Sequence, residues 1–178
     1  LGGVKFGQFL LVLLGSIGAG ALMVFSSSYR MKRVLGYIDP WAEQYASGYQ
    51  LVQSLIAFGR GEWTGVGLGN GIQKLFYLPE AHTDFVFAVM AEEFGLIGNL
   101  LVLGVFMALV FTGLSIGRAA ERQGKRFNGY LVYGLSVMLG MQALVNMGVS
   151  SGLLPTKGLT LPLISYGGSS LIIVCVVL

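Results

Sequence analysis

Four stretches free of charged side chains govern what this chain can fold into: residues 6–29, 94–117, 127–156 and 158–178. A helix rises about 1.5 Å per residue, so about 20 apolar residues cross a hydrocarbon core of about 30 Å. Each stretch reaches that length, which predicts four membrane helices. Of 178 residues 54% are apolar and only 11% charged, and the mean hydropathy is +0.76, so an integral membrane protein is expected. The 28 glycines suit such helices, because glycine lets backbones approach closely.

The expected class is an all-α polytopic membrane protein with a long, partly helical outer loop. Spans are placed at 6–28, 94–117, 128–147 and 164–178, the third shortened by Pro155 and the glycines near 148–152. The chain begins without methionine, carries no signal-peptide pattern and stops within an apolar run, so it is expected to be the C-terminal part of a larger protein. Cys175 stands alone and forms no internal disulfide.

Charge sets the orientation. The turn at 118–127 carries Arg118, Arg122, Lys125 and Arg126 against Glu121, which places it in the cytoplasm. Residues 30–93 and 148–163 then share the outer face. The first of these holds seven of the eight acids, and its five basic residues do not reverse the assignment, because long loops translocate largely regardless of charge. A net charge of +3 placed in this way argues for topology and against nucleic-acid binding.

Within the outer loop, Trp41, Tyr45, Tyr49, Val52, Leu55, Ile56 and Phe58 recur at roughly helical spacing, predicting an amphipathic helix over about 40–58 at the membrane surface. Gly65, Gly67, Gly69 and Gly71 then alternate around Asn70. They are compatible with either a structural turn or a substrate-facing nest of backbone N–H groups. No strand precedes them and no phase gives a dinucleotide fingerprint.

Chemistry is expected in the segment Leu-Pro-Glu-Ala-His-Thr-Asp-Phe at 78–85. Asp84 ends a polar loop and opens an apolar run, and a carboxylate at that boundary is costly enough to mark a functional site. Glu80 and His82 could orient it or bind a cation. For the sole histidine, hydrogen bonding that holds the loop is favoured over metal ligation. Glu92 and Glu93 lie too far along a helix to share a proton with Asp84, and helix-end anchoring or pairing with Arg or Lys is expected of both. Gln142 and Asn146, four residues apart on one helix face, read as helix-to-helix glue rather than a substrate contact.

A second motif follows Asn146: Pro-Thr-Lys-Gly-Leu-Thr-Leu-Pro-Leu-Ile-Ser-Tyr-Gly-Gly-Ser-Ser over 155–170. It reads as an outer turn carrying Lys157 and then a helix start whose N–H groups suit an anion, or else as ordinary capping. Together the two strings and the Gly-Val-Gly-Leu-Gly-Asn run resemble the SEDS family (shape, elongation, division and sporulation), and the lysine brings the signature nearer to its division branch. The family has about ten membrane helices, of which this chain would supply the last four.

That resemblance implies a peptidoglycan glycosyltransferase of the bacterial inner membrane, polymerising lipid II at the outer face of the division septum. It also implies a class B penicillin-binding protein (FtsI-like) as partner, and divisome regulators resembling FtsQ, FtsL, FtsB and FtsN. Asp84 falls on the family's aspartate and Lys157 on its lysine. Both were placed on the outer face by charge and hydropathy alone. Pyrophosphate is a good leaving group, so one base and a source of positive charge suffice, unlike the carboxyl pair of a hydrolase. Asp84 is the expected base. Lys157 and the helix start from Ser165, Tyr166, Gly167 and Gly168 to Ser169 and Ser170 are expected at the pyrophosphate, with Glu80, His82, Gly69 and Asn70 near the substrate. No cofactor is required with certainty; a divalent cation, Mg2+ or Mn2+, is an admissible addition. A lipid II flippase and a non-catalytic divisome scaffold are the rival readings.

Overall fold

The computed structural model describes residues 6–46, 48–156 and 158–177. Among them, α1 runs Phe6–Phe25, α2 Ser28–Ile38, α3 Tyr49–Gly61, α4 Val86–Arg122, α5 Arg126–Ser150 and α6 Gly168–Val177, with a π-helical turn at Gln73–Tyr77 and no strand. Three helices, α1, α4 and α5, are long and apolar enough to cross a membrane. The fourth expected span begins later than residue 164, because residues 162–166 form turns and bends and the helix is regular only from Gly168.

α1 is apolar on every side and none of its residues is buried in protein, the pattern of a helix whose solvent is lipid. It ends at Phe25 rather than 28, where Ser26 Oγ donates to the Leu22 carbonyl and Arg30 Nη1 donates to that of Met23 at 2.9 Å. The Leu22 carbonyl also accepts from Ser26 N, so the arginine supplies the added partner at this helix end.

The surface helix expected over 40–58 is a turn followed by a shorter helix. Asp39 Oδ1 accepts from the Ala42 N–H, and Gly48 lies against the Pro40 carbonyl, where an added Cβ would sit 2.5 Å from the oxygen. That close approach folds Trp41 and Tyr45 out of the helical register. α3 then begins at Tyr49 and turns Leu51, Val52, Ser54 and Ala57 into protein. Ala57 joins Leu78, Ala81, Phe85, Ala88 and Val149 in one core cluster, so this face is covered by α4, α5 and the acidic loop.

α4 and α5 form an antiparallel hairpin closed by Gln123–Lys125, with Gly124 at φ 79°. Small residues set its spacing: a Cβ on Gly113 would run into Ser136 Oγ, and one on Gly140 would sit 2.8 Å from a Val110 methyl. Without a hydrophobic force between helices in lipid, this closeness is the main source of packing energy. Gly113→Leu is therefore expected to destabilise the fold by about 1–3 kcal/mol. The check is thermal melting in detergent, and an unchanged midpoint would contradict the contact.

The hairpin also separates two chemistries. Arg118, Arg122, Lys125 and Arg126 lie at one end, while the start of α4 with Asp84 and the end of α5 with Asn146 lie at the other.

α4 is not a simple span beginning at 94. It starts at Val86 and breaks at Gly95, whose φ of 67° and ψ of −164° belong to glycine alone. A break inside lipid would orphan backbone groups, so the chain fills it. Val66 N and Gly67 N donate to the Glu92 and Glu93 carbonyls at 2.9 and 3.1 Å, and Leu96 N and Ile97 N donate to the Glu62 and Trp63 carbonyls at 3.0 and 3.2 Å. Residues 62–67 thus serve as a plug that satisfies both sides of the break.

Candidate functional site

The glycine-rich loop meets an anion, and the anion belongs to the chain. The Glu92 carboxylate, fully buried, accepts from Ile72 N at 3.0 Å, Gln73 N at 3.1 Å and Arg60 Nη1 at 3.2 Å. Lys74 Nζ pairs with Glu93. The expected Arg and Lys pairing of both glutamates is what the structure shows. Gly69 and Asn70 follow the plug and are tied to it: Asn70 Nδ2 donates to the Val66 carbonyl, and no hydrogen bond among the described residues joins either residue to Asp84. Of the two open readings of that loop, the geometry is that of a structural turn.

Asp84 sits where the two motifs meet. Its N–H donates to the Glu80 carbonyl at 3.1 Å, an oxygen that also accepts from Thr83 N and Phe85 N. This sharp turn needs Glu80 at φ 57°, a left-handed conformation uncommon outside glycine. Thr83 Oγ1 donates to Glu80 Oε2 at 2.7 Å and fixes that side chain beside the turn.

The second motif is laced to the first by several bonds. Tyr166 N donates to the His82 carbonyl at 2.9 Å. Ser165 Oγ donates to the Thr83 carbonyl and accepts from Leu161 N. Asn146 Nδ2 donates to the Asp84 carbonyl at 2.9 Å and to that of Leu159, and Gln142 Nε2 donates to that of Thr160 at 3.1 Å. Leu161 and Pro162 are buried beneath, Leu161 in the cluster with Phe87, Phe106 and Met147, so the loop is anchored from below as well. Gly158 lies against the aspartate: a Cβ there would be 3.2 Å from Asp84 Oδ2.

One expectation changes as a result. Gln142 and Asn146 do not glue helices; their N–H groups hold loop carbonyls, which α5 can reach because it ends beside the loop. Ser165 is 5% exposed and its hydroxyl is hydrogen-bonded on both sides within the loop. Sequence reasoning passed over Thr83 and Thr160 altogether, and neither carries a recognisable local signal. Lys157 lies outside the described residues.

Among the described residues no hydrogen bond reaches the Asp84 carboxylate, which is half-buried. Partial burial, and then the negative charge of Glu80, raise its pKa above the ordinary carboxylate value. Where the two motifs meet, a cavity of about 680 Å³ is lined by His82, Val86, Ile164, Ser165, Tyr166, Gly167, Gly168 and Leu171; Asp84 itself is not in its wall. Tyr166 stands exposed on its rim, and Gly168 begins α6. Ser169 is exposed, and Ser170 Oγ lies 3.2 Å from Thr160 Oγ1. No group of three or more His, Cys, Asp or Glu side chains among the described residues could hold a metal ion.

Fold and site together define a polytopic helical membrane protein with a half-buried carboxylate, unbonded among the described residues, at the end opposite its basic turn. The chain belongs to the FtsW/RodA/SpoVE family of cell cycle proteins, whose model matches residues 1–178. It is 62% identical over 175 residues to the probable peptidoglycan glycosyltransferase FtsW of Hahella chejuensis, covering 98% of this chain and 44% of that protein. The protein of the same name from Marinobacter nauticus is 60% identical over 177 residues, covering 99% and 44%. The chain thus spans less than half the length of these relatives. A solved structure described as the structural coordination of polymerization and crosslinking by a peptidoglycan synthase complex superposes with a TM-score of 0.73 at 31% identity, covering 98% of this chain and 47% of its own.

Proposed function

We propose that the whole protein is a peptidoglycan glycosyltransferase that polymerises lipid II at the extracytoplasmic face of the bacterial inner membrane, at the division septum. The observation that carries this reading is the meeting of two sequence-remote motifs around the Asp84 carboxylate, which no described donor neutralises and whose pKa is raised. Asp84 takes the proton of the acceptor sugar hydroxyl as that oxygen bonds to the anomeric carbon of the donor. The carbon–oxygen bond to the pyrophosphate breaks, and polyprenyl pyrophosphate leaves. Attack opposite an α-linked leaving group gives a β-linked product. Lys157 supplies positive charge to the leaving pyrophosphate, with the N–H groups at the start of α6. No step is routed through a metal ion.

The names of the relatives support this reading, and the synthase complex supports a class B penicillin-binding protein as partner. A flippase needs polar groups along a path through the bilayer. The donors of Gln142 and Asn146, the amide pair on α5, are engaged by the loop instead. The test is polymerisation of lipid II by the purified full-length protein with its partner. The reading expects glycan strands from the wild type and a rate at least about 100-fold lower from Asp84→Asn; comparable rates from both would overturn it.

A base must be ionised to work, so activity should fall as pH drops through the raised Asp84 pKa. Glu80→Gln keeps an oxygen acceptor for Thr83 and removes the repelling charge, which lowers that pKa. The acid limb of the pH–rate profile should therefore move to lower pH, and added salt should move the wild type the same way. A limb unmoved by the substitution would remove Glu80 from the electrostatics of the site.

A further inference from the structure

We infer that Asn146 is a positioning residue for the reaction, acting through the backbone of Asp84; this rests on the reading of Asp84 as the base. Asn146 is 1% exposed, at the end of α5, and its single amide nitrogen donates to two carbonyls. One belongs to Asp84 itself and the other to Leu159, next to the Gly158 that lies against the Asp84 carboxylate. One side chain on a long, packed helix therefore fixes the distance between the base and the loop beside it. Ser165 also ties the motifs together, but it does so from within the second loop rather than from a long helix, and reaches Thr83 rather than Asp84.

Gln142 provides an internal comparison. It lies one turn earlier on the same helix, is also an amide in an apolar stretch, and also donates to a loop carbonyl, that of Thr160. It makes no hydrogen bond to the 80–85 segment among the described residues. A general structural role would make the two amides equivalent in kind. A positioning role makes them different, because of the two amides only Asn146 is bonded to Asp84 itself and so bears on how deeply that residue is buried.

The experiment measures lipid II polymerisation by the full-length protein with its partner, as a function of pH and substrate, for Asn146→Leu, Gln142→Leu and Asp84→Asn. A misplacement of the order of 1 Å costs about 100-fold, so Asn146→Leu should lose about that factor in kcat with KM within about threefold. Its acid limb should be displaced from that of the wild type. Gln142→Leu should lose less than about tenfold and keep the wild-type acid limb. Asn146→Asp serves if the leucine variant fails to fold. Its ionised carboxylate faces two carbonyl oxygens, while its protonated form can donate to one of them, so activity should be lost on the alkaline side where the wild type retains it. Equal losses with unmoved acid limbs in the Asn146 and Gln142 variants, or an Asn146→Asp profile of wild-type shape, would overturn the inference. Polymerisation by Asp84→Asn at a rate near that of the wild type would instead overturn the reading of the base on which it rests.

Discussion

Asp84→Asn is expected to reduce glycan polymerisation by about 100- to 10,000-fold, the range a positioned general base contributes. The substitution keeps the shape and leaves the backbone lacing intact, because the bonds at Asp84 run through its N–H to Glu80 and its carbonyl to Asn146. An amide also relieves the desolvation and the repulsion from Glu80 that raise the pKa, so folding should be unharmed or slightly improved. Loss of activity with an unchanged or higher melting temperature, and with partner binding preserved, is thus the combined result expected. A variant that is inactive because it melts earlier would point to a structural carboxylate instead.

The largest effect on stability is expected at Gly95. Its backbone conformation is strained for any other residue, and an added Cβ would lie 2.5 Å from Gly65 N and from the Trp63 carbonyl oxygen. Gly95→Ala must therefore either straighten α4 or push out the 62–67 plug. Straightening would strip the Val66 and Gly67 N–H groups of their acceptors, and expulsion would orphan the same groups and also unseat the loop that donates to Glu92. Either route should cost about 3 kcal/mol or more. Thermal melting and limited proteolysis of the outer segment provide the check, and a variant as stable and as resistant as the wild type would show that the break is not held by the plug.

The membrane class, the α4/α5 hairpin with its basic turn and the place of Asp84 at the opposite end of that hairpin were legible because each rests on a local quantity. Charge-free length fixes spans, the cluster from Arg118 to Arg126 marks one end, and a carboxylate opening an apolar run is costly wherever the rest of the chain goes. The pairing of Glu92 and Glu93 with basic residues was foreseeable for the same reason, since buried acids need partners; that the partners are Arg60 and Lys74 was not.

The tertiary structure alone decided how hydrogen-bonding capacity is distributed. Periodicity could not show that Gly48 would close on Pro40 and cut short the surface helix, nor that Gly95 would break α4 and draw the glycine-rich loop into the gap. Two amides four apart on an apolar helix look alike in sequence, whether they join helices or grip a loop. Which carbonyls Asn146 and Gln142 reach depends on where residues 158–166 return across the end of α5, a matter of distances between remote parts of the chain. Sequence thus determined where a charge would be costly and which segments are apolar enough to cross a membrane, because these follow from composition over a few turns. Only the folded chain decided which backbone groups meet, because each buried donor or acceptor must find a partner among whatever the fold brings within about 3 Å.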